Sequence, residues 1–453
     1  MKQKKFILPE SELPAQWYNI QAEMPNKPLP PLNPETKQPM TVDDLSHVFA
    51  RECCVQELDQ THAWIDIPDE VQEKYRFYRS TPLVRAYALE QALGTPAHIY
   101  FKNESVNPLG SHKINSALPQ CFYCKQEGTT NVTTETGAGQ WGAALSYAAK
   151  IYGLECAVYQ VKLTMQQKPY RSSVMRTFGA TVVGSPSMST RAGKDIITKN
   201  PLHPGSLGTA ISEAVELAVT TPNCKYTLGS VLNHVALHQT VIGLEAEKQM
   251  QMAGEYPDII IACFGGGSNF AGISFPFMRH NLSGAKHTEF IAAEPESCPK
   301  LTRGKFQYDF GDSAGYTPLL PMFTLGHQFT PANIHAGGLR YHGAGMIISQ
   351  LIRDGLMHGV DIPQLESFEA GMLFARTEGI IPAPESCHAI AATIREADKC
   401  KQTGEEKVIL FNLSGHGLID MPSYEQYISG ELQNYRISDE DIERNVSELE
   451  QII

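Results

Sequence analysis

Between about residue 98 and residue 413 the chain alternates short, β-rich apolar runs with longer stretches whose apolar positions recur at helical spacing. The runs fall at 98–101, 131–134, 156–161, 181–183, 258–264, 290–293 and 407–413. Strands separated by helices predict βαβ units and mostly parallel sheets, because a parallel neighbour is reached only through a crossover long enough to hold a helix. One such helix opens near residue 113, where Ile114, Ala117, Leu118, Cys121 and Phe122 share a face, and Pro119 inside it predicts a kink. The proline-dense segment 25–34 predicts an extended stretch that sets an N-terminal arm apart from the body. At the other end Ser438 and Asp441 stand in capping-box spacing. The stripe Ile442, Val446, Leu449 and Ile453 follows, which predicts a helix packed on its own lobe or on a sister subunit.

A chain of 453 residues is too long for one small core, and two α/β lobes with a cleft between them are expected. With 37 Lys+Arg against 49 Asp+Glu, a formal charge of -12 and no basic run beyond 2–5, nucleic acid is excluded as a partner. An anionic ligand must then be met by local donors, such as backbone N–H groups at helix starts. Only Phe6, Ile7 and Leu8 precede Pro9 after the first lysines, too short a stretch for a signal peptide, and no apolar run approaches a membrane span. A cytoplasmic protein is expected. Cys121 and Cys124 form the one C-x-x-C among ten cysteines, without a second pair to complete a metal site, so no metal is expected.

Three segments carry candidate chemistry. Lys113, after a strand and in the first turn of its helix, is set against the helix dipole; this weakens the ammonium's preference for charge, as Schiff-base chemistry requires. The plain alternative is an exposed lysine. The segment Gly265-Gly-Gly-Ser-Asn269 follows an apolar strand and opens a helix, where converging N–H groups suit a phosphate or merely a tight turn. Asn412-Leu-Ser414-Gly-His-Gly417 again ends a strand, and its hydroxyl suits one hydrogen bond to a heterocycle nitrogen or a simple turn. By contrast, Gly137-Ala-Gly-Gln-Trp-Gly142 fits a dinucleotide fingerprint, but the next strand ends in Lys162 where an acidic residue is required. A dehydrogenase is disfavoured, while the loop's N–H groups remain suited to a carboxylate.

Taken as a set, these segments resemble pyridoxal-phosphate enzymes of the tryptophan synthase β chain family, from about Thr81 to Tyr427. The blocks that carry the resemblance are Ser80-Thr-Pro-Leu83, Gly110-Ser-His-Lys-Ile-Asn115, Glu135-Thr-Gly-Ala-Gly-Gln140, 265–269, Glu378-Gly-Ile-Ile-Pro-Ala-Pro-Glu-Ser386 and Asn412-Leu-Ser-Gly-His-Gly417. Trp141, Leu228-Gly-Ser-Val-Leu-Asn-His234, Asp309-Phe-Gly-Asp312 and His335-Ala-Gly-Gly-Leu-Arg-Tyr-His-Gly343 resemble the family's divergent second branch more closely. The resemblance implies an α/β fold of two three-layer αβα lobes with mostly parallel sheets and the cofactor in the cleft between them (PLP fold type II). The implied division is an N-terminal arm and lobe start over 1–80, an N-terminal lobe with a mobile substrate-closing subdomain over 112–235, and a C-terminal lobe with the phosphate loop over 81–111 and 236–453.

The resemblance also implies roles. Pyridoxal 5'-phosphate would be held covalently by Lys113, which then removes and returns the Cα proton; a monovalent cation is a further candidate cofactor. His112 would stack near the phosphate gripped by Gly265, Gly266, Gly267, Ser268 and Asn269, with Asn115 and Glu385 also facing the cofactor. Ser414 would face the pyridine nitrogen; a serine does not stabilise a fully protonated ring as a carboxylate would, which favours replacement at Cβ over transamination. Thr136, Gly137, Ala138, Gly139 and Gln140 would bind the substrate carboxylate. Glu135 would draw off positive charge as indole attacks the aminoacrylate formed from L-serine or O-phosphoserine, giving L-tryptophan and water or phosphate.

The alternatives are a serine/threonine dehydratase, a replacement with another nucleophile, and a non-catalytic phosphate-binding regulator. Glu135 speaks for indole, and Lys113 in its motif speaks against the regulator. Arg340 stands where the main branch has an aspartate; it suits a phosphate leaving group, or an ion pair with Asp309 or Asp312. Ser80 and Ile114 each replace a proline. The expected partners are small-molecule substrates and a second copy of the chain, with no stable α subunit, no nucleic acid and no membrane; the arm before Thr81 is expected to occupy part of the α-subunit surface.

Overall fold

The computed structural model describes residues 3–447, 449, 451 and 452; Ile453, the last position of the C-terminal stripe, and Lys2 of the short basic run lie outside the described residues. The apolar run at 258–264 forms the strand Ile259–Cys263, and its unbroken hydrophobicity follows from burial on both faces. Ile259, Ile261 and Cys263 pack into one apolar cluster, while Ile260, Ala262 and Phe264 pack into another.

This strand lies inside a seven-stranded sheet in the order Lys5–Phe6, Leu83–Arg85, His98–Asn103, Val408–Leu413, Ile259–Cys263, Glu289–Pro295, His358–Ile362. The five strands from His98–Asn103 onward run parallel, and the first two close one edge antiparallel. A second sheet holds four parallel strands in the order Thr181–Ser185, Glu155–Val161, Asn131–Thr136, Cys224–Tyr226. The whole smaller sheet is drawn from 131–226 and the larger one from chain on either side, and this partition supports, as a proposal, the lobe division at 112–235. Part of the N-terminal arm is built into the body: Lys5–Phe6 edges the large sheet, and Gln16–Tyr18 pairs with Trp64–Asp66.

Each of the seven β-rich runs overlaps a strand. The strands Leu83–Arg85 and His358–Ile362 and the antiparallel hairpin Lys305–Phe310 with Leu319–Thr324 lack such a run, being short, polar or interrupted by proline. The C-terminal helix Asp439–Ser447 starts where Ser438 Oγ accepts from the Asp441 N–H at 3.1 Å. Ile442, Val446 and Leu449 pack on Cys298, Leu325 and Phe329 of the same chain. Among the described residues no helix is long and apolar enough to cross a membrane.

The helix Ile114–Gln126 continues through Pro119. Proline has no N–H, so the carbonyl four residues back, that of Asn115, lacks its usual helical donor. The Tyr75 hydroxyl donates to it instead at 2.5 Å, and both groups are buried. Tyr75→Phe therefore strands a buried carbonyl, at a cost of about 1–3 kcal/mol. The expected outcome is a lower urea midpoint followed by tryptophan fluorescence; an unchanged midpoint would show that this carbonyl needs no partner.

Candidate active site

Parallel strands deliver their carboxyl ends to one side of a sheet, and the loops that follow are where α/β folds bind ligands. Here the segments after His98–Asn103, Ile259–Cys263 and Val408–Leu413 meet the loop after Asn131–Thr136 of the smaller sheet across one cleft. It is lined by Lys113, Glu135, Gly266, Ser268 and Ser414, among others.

Lys113 stands at the N-cap of the helix Ile114–Gln126 and borders this cleft. Its Nζ donates to the Gly229 carbonyl at 2.5 Å and to Ser268 Oγ at 3.2 Å. Desolvation outweighs the attraction of Glu135 and brings its pKa down to about 8, so a sizeable fraction of the amine is neutral near physiological pH. His112 donates its N–H to the Ser414 carbonyl at 3.0 Å; burial, and then the charge of Lys113, push its ring down to about 3, which keeps it neutral.

The triple-glycine segment opens the 15-residue helix Ser268–Leu282, with Gly267 at φ 120°. Among the described residues the N–H groups of Gly265, Gly266, Gly267 and Asn269 meet no protein acceptor. Side chains are excluded here by close approach: a Cβ on Gly266 would lie 2.5 Å from Val231 Cγ2 and 2.7 Å from Ser230 Oγ. The Asn269 side chain is committed elsewhere, donating to the Cys263 carbonyl at 3.1 Å and accepting from Asn412 at 2.6 Å. It braces the loop and leaves its backbone N–H to the ligand. Ser414 Oγ lies 2.7 Å from Ser386 Oγ and borders the same cleft. Unaccepted N–H groups at a helix start, a hydroxyl for a ring nitrogen and a desolvated amine fit pyridoxal phosphate.

A second set of unaccepted donors lies opposite. The N–H groups of Gly137, Ala138, Gly139 and Gln140 have no protein acceptor among the described residues, and they open the helix Gln140–Tyr152. Gly139 has φ 96°, and a Cβ there would lie 2.6 Å from Arg171 Cβ. The loop suits a carboxylate. Glu385 holds it in place, accepting from Gln140 Nε2 at 3.0 Å and from the Gly338 N–H at 2.9 Å.

Glu135, next to this loop, is buried and accepts hydrogen bonds from the Tyr226 hydroxyl and, at 3.4 Å, from Thr134. Burial raises its pKa to about 7, against the opposing pull of these bonds and of Lys113. Trp141 Nε1 donates to Thr134 Oγ1 at 2.6 Å, and the indole lies so close over Gly229 that a Cβ there would come within 2.4 Å of it. Beyond Tyr226 lies an almost wholly apolar cavity, which shares Ile211, Leu228, Val231 and Tyr341 with the reaction cleft.

Two sequence-predicted site residues are not brought to the cleft. Asn115 donates to Glu104 and Gln239 and accepts from Arg79 and Tyr78, within a buried network where Arg79 pairs with Glu104 and Glu245. Its polar capacity is spent on fixing the turn that carries Lys113. Arg340 is buried, borders neither side of the cleft and donates through Nη2 to the Pro331 carbonyl at 3.1 Å. It pairs with neither candidate aspartate: Asp309 is taken by His327 and Thr324, and Asp312 by Ser212, Tyr316 and Thr317. Conversely, Tyr226, Gly229, Ser230, Gly338 and Ser386 form part of the site without having been singled out. Gly229 and Ser230 lie in a block that carries the resemblance, but nothing local to Tyr226 signals that its strand pairs beside the one bearing Glu135.

The family model described as pyridoxal-phosphate dependent enzyme matches residues 75–415. The chain is 56% identical over 432 residues to tryptophan synthase beta chain 2 of Aquifex aeolicus, covering 95% of this chain and 99% of that one. It is 55% identical over 417 residues to tryptophan synthase beta chain 2 of Thermotoga maritima, covering 92% and 98%. A fungal L-serine ammonia-lyase from Rhizomucor miehei shares the fold with a TM-score of 0.58 at 17% identity, covering 78% of this chain and 99% of that one. Lys113, the triple-glycine segment and the loop 137–140 thus stand in a chain that belongs to the tryptophan synthase β chain family of pyridoxal-phosphate dependent enzymes.

Proposed function

We propose that the protein joins an indole-type nucleophile to the three-carbon skeleton of a serine-type amino acid, releasing water or phosphate and forming L-tryptophan. The observation that carries this reading is Glu135: a desolvated carboxylate bordering the cleft of Lys113 and tied through Tyr226 to an apolar cavity that suits an aromatic molecule. Pyridoxal phosphate, when bound, draws electron density from the substrate so that the Cα–H and Cβ–substituent bonds break. The neutral fraction of Lys113 Nζ takes the Cα proton and later returns it, without a second base. The N–H groups of 137–140 fix the substrate carboxylate, and this orients Cα toward Lys113. Glu135 accepts the N–H of an indole as positive charge develops there; protonated, it also assists departure of the β-substituent. Simple deamination calls for no such carboxylate.

The finer partner assignment, a homodimer without a tightly held indole-producing subunit, is proposed on the same footing.

Incubated with pyridoxal phosphate, L-serine and indole, the protein is expected to yield a product with the mass of tryptophan; pyruvate and ammonia alone would overturn the assignment. Glu135 is ionised above about pH 7, so condensation should fall as the pH drops through that value. Lys113, neutral above about pH 8, adds its own limb. Glu135→Gln should remove only the limb near 7, turning a two-proton fall at low pH into a one-proton fall, and slow condensation by about 10²–10⁴-fold; an unchanged two-proton fall would place the lower titration elsewhere. Because Arg340 turns away from the cleft, Arg340→Ala is expected to leave the ratio of O-phosphoserine to serine turnover unchanged in steady-state kinetics, whereas a collapse of that ratio would put its guanidinium on the leaving group.

A further inference from the structure

Glu135 has two carboxylate oxygens, and the side chains around it hold only one of them. Oε2 accepts from the Tyr226 hydroxyl, while Oε1 has no protein partner among the described residues, on a side chain that borders the reaction cleft. The other side chains that bear on Glu135 direct their donors elsewhere. Thr134 donates its single proton to the Thr227 carbonyl at 2.6 Å, which leaves Glu135, at 3.4 Å, a weak share of it. Lys113 attracts the carboxylate by charge, but its Nζ donates to the Gly229 carbonyl and to Ser268, and the Tyr341 hydroxyl donates to the Gly311 carbonyl at 3.0 Å. Tyr226 is thus the one full side-chain donor to Glu135 among the described residues.

The sheet makes this contact, and the N-terminal arm fixes it. Tyr226 pairs opposite Thr133 across two parallel strands, and Glu135, two residues further on, shares the face of Thr133, within diagonal reach of an aromatic side chain. The Tyr226 N–H donates to the Val48 carbonyl at 2.9 Å, and the Phe49 ring packs against the phenol at 5.5 Å. Held at its backbone and its ring, the hydroxyl has a set position. We infer that Tyr226 is the positioning residue of the nucleophile's step: its hydroxyl holds Oε2 of Glu135, so that Oε1 is the oxygen offered to the incoming N–H. The same bond favours the ionised carboxylate, because a donor is bound more strongly by an anion than by a neutral acid. It opposes the burial that brings Glu135 up to about 7, and so keeps an accepting carboxylate available near physiological pH. Through Val48, Phe49 and Tyr226 the arm reaches the reacting groups without touching them.

This inference rests on the proposed role of Glu135 toward an indole-type nucleophile. Its first test reads the carboxylate itself, by infrared titration of the protein loaded with pyridoxal phosphate and without substrates. The carbonyl stretch of protonated Glu135 is assigned as the band that Glu135→Gln removes. Its midpoint, near pH 7 in the wild type, should rise by about one to two pH units in Tyr226→Phe, the worth of one hydrogen bond to a charged group. Thr134→Val should move it less, since that hydroxyl serves the Thr227 carbonyl. Steady-state kinetics then separate position from charge: at a pH above both midpoints, the KM for indole should rise about tenfold in Tyr226→Phe while that for serine holds. Should Tyr226→Phe not fold, Phe49→Leu, which only loosens the phenol ring, is the second probe and should raise the midpoint in the same direction. A midpoint that holds in the folded variant, a shift in Thr134→Val as large as that in Tyr226→Phe, or an equal loss for serine and indole would overturn the positioning role. Absence of tryptophan from serine and indole would instead remove the proposed function and leave the infrared comparison intact.

Discussion

Desolvation of a single amine governs the arrangement around it. Lys113 Nζ can be uncharged near physiological pH only because protein encloses it, and that enclosure is assembled from distant parts of the chain. Its backbone caps a helix of the smaller-sheet region, its partner carbonyl comes from Gly229, and Ser268 belongs to the helix that follows the glycine cradle. Gly229 in turn has no room for a side chain because Trp141 lies over it, and Trp141 is fixed by Thr134 beside Glu135. Moving any of these groups alters the solvation of the amine and hence the fraction able to react.

The chain carries a net charge of -12 yet contains two loops whose free N–H groups suit anions, and the contradiction dissolves at the level of the backbone. Both loops end parallel strands, open helices of 13 and 15 residues, and leave N–H groups without acceptors. Such donors need no lysine or arginine, so the fixed charges are free for other tasks. Arg79, Lys102, Glu104 and Glu245 form a buried network beneath the turn of Lys113, and Asp420 pairs with Lys168 and Arg171. Gly139 of the loop 137–140 lies directly against Arg171, so that ion pair also bears on this loop.

Much of this was legible in the sequence because the chemistry sits where local signals are strong. A glycine run after a doubly buried strand, a lysine at a helix start and a strand-terminal Ser-Gly each announce themselves within a few residues, and all three lie on one cleft. Asn115 and Arg340 were placed there by family pattern, but side-chain direction is a tertiary matter. The amide of Asn115 turns into the Arg79 network, and the guanidinium of Arg340 turns to a backbone carbonyl. Tyr226 carries no local signal for the complementary reason: its contact with Glu135, 91 positions away, follows from the pairing of their two strands. At Pro119 the helix continues with a substitution of donors, Tyr75 supplying the bond that proline withholds.

The proposed chemistry requires that the Lys113 amine, and no other, carry the cofactor aldehyde. Borohydride reduction of the protein loaded with pyridoxal phosphate, followed by peptide mass mapping, reads this directly. A stable cofactor-sized mass increase is expected, confined to the peptide containing Lys113 and absent from Lys113→Ala. An unmodified Lys113 peptide, or equal labelling of another lysine in the variant, would contradict it.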